Sequence, residues 1–232
     1  MTQLAKLSRL ARWDIGLCLL CAILFLLWPE LDLIVAGSFY HDGEFTYENN
    51  PLVRFVYLVF AKIHFLYLLG FIGAIIYCHK KGLLERRKLF VFLLSSLLIG
   101  PGILVNTILK DNTLGRPRPE HIQQFGGERD VAPTFYYSGQ CDRNCSFVSG
   151  HASIGFYLLA LAWVRKRRIW LAYGVALGAF VGLGRIIPGG PFFCAVLFAG
   201  WVAFFACLLF ARAFGLSLPE SKQNSESDQS ST

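Results

Sequence analysis

Four short stretches, far apart along the chain, carry side chains that could do chemistry: Lys110, Arg116-Pro117-Arg118-Pro119, Ser149-Gly150-His151 and Arg185. Lysine and arginine match phosphate oxygens, arginine through a two-pronged fork. Ser149 and Gly150 open an apolar run, so their backbone N–H groups are expected at a helix N-terminus, a natural seat for an anion. His151, one residue on, is the side chain type that exchanges a proton near neutral pH. Singly, each has a plainer reading. Lys110 suits a snorkelling lysine, Arg185 an interface anchor and His151 a structural histidine. Gathered at one level, they describe a site for a phosphate group.

The elements that must position them are membrane helices. Of the 232 residues, 55% are hydrophobic and 16% charged, where a soluble domain carries about a quarter charged. The apolar residues fall in blocks near the ~20 residues with which a helix crosses hydrocarbon. Spans are expected at about 15–28 (with a continuation through 33–36), 53–78, 89–109, 149–164, 169–187 and 192–211. No clear small-residue cleavage site follows Trp28, so the first block reads as a retained helix rather than a signal peptide. Gly100-Pro101-Gly102 predicts a kink in the third span. Residues 29–52 and 110–148 read as polar loops. The expectation is one all-α, six-helix domain over 1–212, followed by a disordered cytoplasmic tail over 213–232 that is rich in Ser, Gln and Glu.

A net charge of +7 raises the possibility of nucleic-acid binding. The basic residues lie beside the apolar blocks instead of on a separate domain, which is the pattern of topology signals and headgroup contacts. The basic start, loop 79–88 and loop 165–168 are separated by even numbers of spans, so all three belong on the cytoplasmic side, as do both termini. The loops 29–52 and 110–148 and the turn at 188–191 then face outward, and all four chemical stretches share the outward end.

These stretches resemble the motifs of the type 2 phosphatidic acid phosphatase superfamily, whose soluble relatives include vanadium haloperoxidases. That pattern is lysine, six residues and Arg-Pro; then Pro-Ser-Gly-His; then arginine, five residues, histidine, three residues and aspartate. The resemblance covers about residues 85–212. Within it, Gly115-Arg116-Pro117-Arg118-Pro119, Phe125-Gly126-Gly127 and Asn144-Cys145-Ser146-Phe147-Val148-Ser149-Gly150-His151 look most like bacterial lipid A 1-phosphatases. The resemblance implies a haloperoxidase-like helical core and hydrolysis without metal or other cofactor. It implies a phosphorylated or pyrophosphorylated membrane lipid as substrate, and a bacterial inner-membrane location with the site facing the periplasm. Lys110, Arg116 or Arg118, Ser149, Gly150 and Arg185 would bind phosphate, and His151 would act as general acid. Arg118 is the better match for the first-motif arginine, although its gap from Lys110 is seven residues; Arg116 gives five. Cys141 and Cys145 lie close together in an outward loop, and the periplasm is oxidising, so they are expected to form a disulfide. The other five cysteines fall in or beside apolar blocks and read as packing residues.

The third motif departs from the family pattern. Pro191 stands where the family has its nucleophilic histidine, and Ala195 where it has the aspartate that orients it. Proline offers no nucleophilic atom, so covalent phosphohistidine chemistry is not available at that position. The expectation is therefore a phosphatase-like site with impaired turnover, or a descendant that only binds lipid headgroups or a partner protein. His121, in loop 110–148, is the remaining candidate nucleophile on that loop.

Overall fold

The computed structural model describes residues 2–45, 47, 50–110, 114–141 and 144–218, with side chains from residue 13 onward. The side chains of Lys6, Arg9 and Arg12 and tail residues 219–232 lie outside this description. Among the described residues the fold is all-α apart from one two-stranded hairpin.

Helix α1 (Thr2–Leu27) presents Leu19, Leu20, Leu26 and Leu27 outward, as a helix in lipid does. The chain then turns by 83° into α2 (Glu30–Gly37). The expected continuation of the first span through 33–36 is thus a separate helix set at an angle to α1. Pro29 has no N–H with which to extend α1, and Glu30 and Asp32 favour a new helix N-terminus. The segment read as a plain loop over 29–52 thus contains α2 and the hairpin of β1 (Tyr40–His41) with β2 (Glu44–Phe45). Asp42 and Gly43 turn the hairpin, both at positive φ (51° and 88°).

Helix α3 (Pro51–Lys80) starts where Asn50 Oδ1 accepts the Leu52 N–H at 2.9 Å, with Pro51 in the first turn. It buries only Val56 and Cys78, and Phe55, Leu66 and Leu69 are exposed, so most of its surface faces the bilayer. Helix α4 (Leu84–Leu97) runs on as wider, π-helical turns over Leu98–Leu109. The expected kink at Pro101 is taken up in this widening. Pro101 has no N–H to donate, and the Asn106 side-chain amide donates to the Pro101 carbonyl at 2.7 Å. A Cβ on Gly100 would sit 2.8 Å from that of Ala206, so glycine here admits α8 (Phe193–Ala213) at close range.

Helix α5 (Gly150–Phe156), a 3-10 turn and α6 (Leu161–Val164) form one apolar run. At 1.5 Å per residue it is roughly 22 Å long, short of a ~30 Å hydrocarbon core. Most of its residues are buried, and α5 packs against α7 (Ile169–Ile186) and α8, so this span lies inside the bundle. Among the described residues, four helices are long and apolar enough to cross a membrane, five if the bent α1–α2 pair is one span. With the short Gly150–Val164 run, the protein is a membrane bundle of about six helices.

The core has two levels. Phe25, Val105, Phe147, Phe156 and Phe192 fill the end under loop 114–141, and Phe92, Leu93, Tyr157 and Trp163 fill the other. Phe214, Leu216 and Leu218 pack on the second level, so the stretch expected to be disordered from 213 is ordered through 218. Burying these apolar side chains stabilises the stretch in a way that a polar tail could not.

Candidate functional site

Lys110, Arg118, Ser149, Gly150, His151 and Arg185 line one cleft at the loop end of the bundle, and Pro191 lines it with them. Separate elements deliver them: Lys110 from the end of the α4 helix, Arg118 from the following loop, Ser149 to His151 from the start of α5 and Arg185 from the last turn of α7. Pro191 comes from the turn into α8.

Local bonding fixes these positions. Ser149 caps α5, its Oγ accepting the Ala152 N–H at 3.4 Å, and its own N–H donates to the Ala195 carbonyl at 3.0 Å. A Cβ on Gly150 would run into the Asn106 side chain, so the widened end of α4 requires glycine there. Arg118 is held by Nε donating to the Asn144 carbonyl (3.0 Å) and Nη1 to Glu120 Oε1 (3.1 Å). Glu120 N–H in turn donates to the Gly189 carbonyl at 3.1 Å, tying this loop to the turn before α8.

Arg116 is not in the cleft, which corrects its expected role in binding phosphate. Its side chain is 1% exposed, and Nη1 lies 2.9 Å from the carboxylate of Asp32, itself 0% exposed. Nε donates to the Ala132 carbonyl at 2.9 Å, and the guanidinium lies 4.1 Å over the Phe192 ring. Asp32 also accepts from Thr134 Oγ1 (3.2 Å) and from the Cys194 N–H (2.9 Å). A buried ion this fully bonded cannot also turn to a ligand. Its main chain does serve the site: the Arg116 carbonyl accepts the Ser146 N–H at 2.9 Å, and Ser146 Oγ accepts the Phe192 N–H at 3.2 Å.

Three contributors were not anticipated from the sequence. Tyr57 of α3 stacks on His151 (ring centroids 4.8 Å apart) while the Arg185 guanidinium lies 4.6 Å over the same ring. One aromatic ring therefore holds the histidine and the arginine together. Asp32 was legible in principle, as a lone acid inside the apolar stretch Leu31–Ala36. Ser146 carries no comparable signal, nor does Tyr57 among the many aromatics of the spans. Cys141 and Cys145 are joined in a disulfide, and Cys145 lines the cleft beside Ser146.

The cleft is strongly cationic. The titratable groups acting on His151 are Arg185, Lys110, Arg118 and, from α3, His64. His151 Nε2 is buried and has no hydrogen-bond partner among the described residues. Three cations and a ring nitrogen around one small space can hold a tetrahedral oxyanion and exchange a proton with it. Ala195 is 0% exposed and meets the site through its carbonyl, which accepts the Ser149 N–H. His121 does not line it: its side chain is 47% exposed, with Nε2 3.8 Å from Glu120 Oε1.

The profile of the PAP2 superfamily matches residues 89–217. The chain belongs to the PAP2 superfamily. Its similar relatives carry a common designation. The lipid A 4′-phosphatase of Francisella tularensis subsp. novicida (strain U112) is 37% identical over 196 residues, covering 79% of this chain and 86% of that protein. The lipid A 4′-phosphatase of Rhizobium leguminosarum is 29% identical over 197 residues, 81% of each chain. That of Rhizobium etli is 29% identical over 212 residues, 89% of this chain and 80% of the relative. These relatives carry the 4′ designation, whereas the loop residues suggested the 1-phosphatases; phosphorylated lipid A is common to both. No solved structure matches the chain.

Proposed function

We propose that this PAP2 protein binds the phosphate of a bacterial envelope lipid, with a lipid A-type lipid the first candidate, and that its hydrolytic turnover is impaired. The carrying observation is Pro191, which lines the cleft together with Lys110, Arg118, His151 and Arg185. The binding groups are present and converge, while the family's nucleophile position holds a side chain with no atom able to attack phosphorus. What remains is binding and electrostatic stabilisation, which leave only a small residue of a nucleophile-dependent rate. The lipid assignment rests on the designation of the relatives and on a cleft set at the end of a membrane bundle. The proposed orientation puts the cleft on the periplasmic side of the inner membrane, opposite the basic loops.

Position 191 lies in the turn just before α8 and position 195 in its first turn. The deciding experiment is the double reversion Pro191→His with Ala195→Asp, assayed beside the unmodified chain on lipid A and on short-chain lipid phosphates. The unmodified chain should bind vanadate or phosphate with little turnover, and the double variant should gain turnover by orders of magnitude. Robust turnover by the unmodified chain that His121→Ala abolishes would overturn the reading. If the reversion yields no activity while vanadate still binds, the chain would be a headgroup- or partner-binding descendant.

A further inference from the structure

A second cavity lies at the other end of the bundle and plays no part in the phosphate site. It is about 410 Å³ in volume, lined by Ala74 and Tyr77 of α3, Leu89 and Leu93 of α4, and Val164 at the end of α6, with Arg86 as its charged lining residue. Leu89 and Lys110 stand on one continuous helix, about 30 Å apart at 1.5 Å per residue. The two sites therefore belong to opposite leaflets. The volume is in the range of sites that enclose a small ligand, about 300–1,000 Å³.

Charge is concentrated at the same end. Tyr77 is followed within two residues by His79-Lys80-Lys81, Arg86 by Arg87-Lys88, and Val164 by Arg165-Lys166-Arg167-Arg168. Lys80, Lys81, Arg86, Lys88, Arg165, Lys166 and Arg167 are exposed. Arg87 Nη1 lies 2.9 Å from His79 Nδ1, which joins the end of α3 to the start of α4 across the turn. Glu85 is the acidic neighbour, exposed in the first turn of α4 and absent from the cavity lining. An apolar slot between membrane helices, bordered by an arginine and two basic loops, matches one kind of molecule: a lipid with an anionic headgroup and a hydrocarbon tail.

We infer that this cavity is a binding site for an anionic glycerophospholipid of the leaflet on the basic-loop side. One acyl chain lies between α3, α4 and α6, and the headgroup phosphate is bound by Arg86. Such a lipid would hold α3, which has little buried surface of its own, against α4. This site is independent of the phosphate cleft and of any turnover there.

The test uses the full chain, purified in detergent and examined by native mass spectrometry with added phosphatidylglycerol or phosphatidylcholine of matched chains. Phosphatidylglycerol should remain bound under activation that strips phosphatidylcholine. Arg86→Gln should weaken that retention by about tenfold, as loss of a charged hydrogen-bonding partner does. Ala74→Trp, which fills the slot, should abolish it. Arg86 is exposed, so its variant folds even if the tryptophan variant does not; Leu89→Phe then serves as the filling change. Equal retention of both lipids would overturn the site, as would phosphatidylglycerol retention that the filling variants leave intact.

Discussion

Two arginines only two positions apart, Arg116 and Arg118, have opposite fates. Arg118 reaches the cleft, and Arg116 is consumed in a buried pair with Asp32. Their substitutions should therefore separate cleanly. Arg118→Ala should lower vanadate affinity by about tenfold or more, since a charged partner of the anion is lost, with little change in thermal midpoint because the side chain is not part of the core. Arg116→Ala should leave the Asp32 carboxylate buried without its cation and cost about 3–5 kcal/mol of stability. Adding Asp32→Asn to that variant should recover part of the loss. Thermal denaturation in detergent and vanadate titration measure the two effects. A stable Arg116→Ala protein with lost anion affinity would reverse the assignment. The same scale explains Tyr57, whose ring touches both His151 and Arg185 and links the lipid-facing helix α3 to the site.

At the scale of elements, the site depends on the loop that follows Lys110. Its last stretch carries the Asn144 carbonyl that holds Arg118, the Cys145 that lines the cleft, and the Ser146 hydroxyl that accepts the N–H of Phe192 at the entry to α8. The Cys141–Cys145 bridge closes a small ring that includes Asn144 and ends one residue before Ser146. Reducing it, or replacing both cysteines by serine, should weaken vanadate binding several-fold through loss of loop order. Helical content should stay unchanged, because the helices are packed by the aromatic and aliphatic core beneath the loop. Vanadate titration with and without a phosphine reductant, beside far-UV circular dichroism, checks both halves. An affinity indifferent to reduction would show that the loop is ordered by its hydrogen bonds alone.

For the whole molecule, three helical runs (Gly150–Val164, α7 and α8) separate the loop before Gly150 from the end of α8. Single cysteines at Tyr137, which is 72% exposed, and at Ser217 should therefore be labelled by an impermeant thiol reagent from opposite faces of the membrane, in a background where the native cysteines are accounted for. Labelling from the same face would mean that the roughly 22 Å run does not cross. The sequence alone determined the helical membrane class and the convergence of Lys110, Ser149-Gly150-His151 and Arg185 at one end, because hydrophobic block length and loop charge are local properties that the bilayer reads directly. That a proline stands at position 191 and an alanine at 195 is likewise read from the chain itself. Tertiary structure alone decided which arginine lines the cleft, the 83° turn that carries Asp32 back to Arg116, the stacking of Tyr57 on His151, and the packing of Phe214 through Leu218 on the core. Each of these depends on contacts between residues distant in the chain, and neither residue type nor spacing encodes which of two equally suitable side chains the packed helices will enclose.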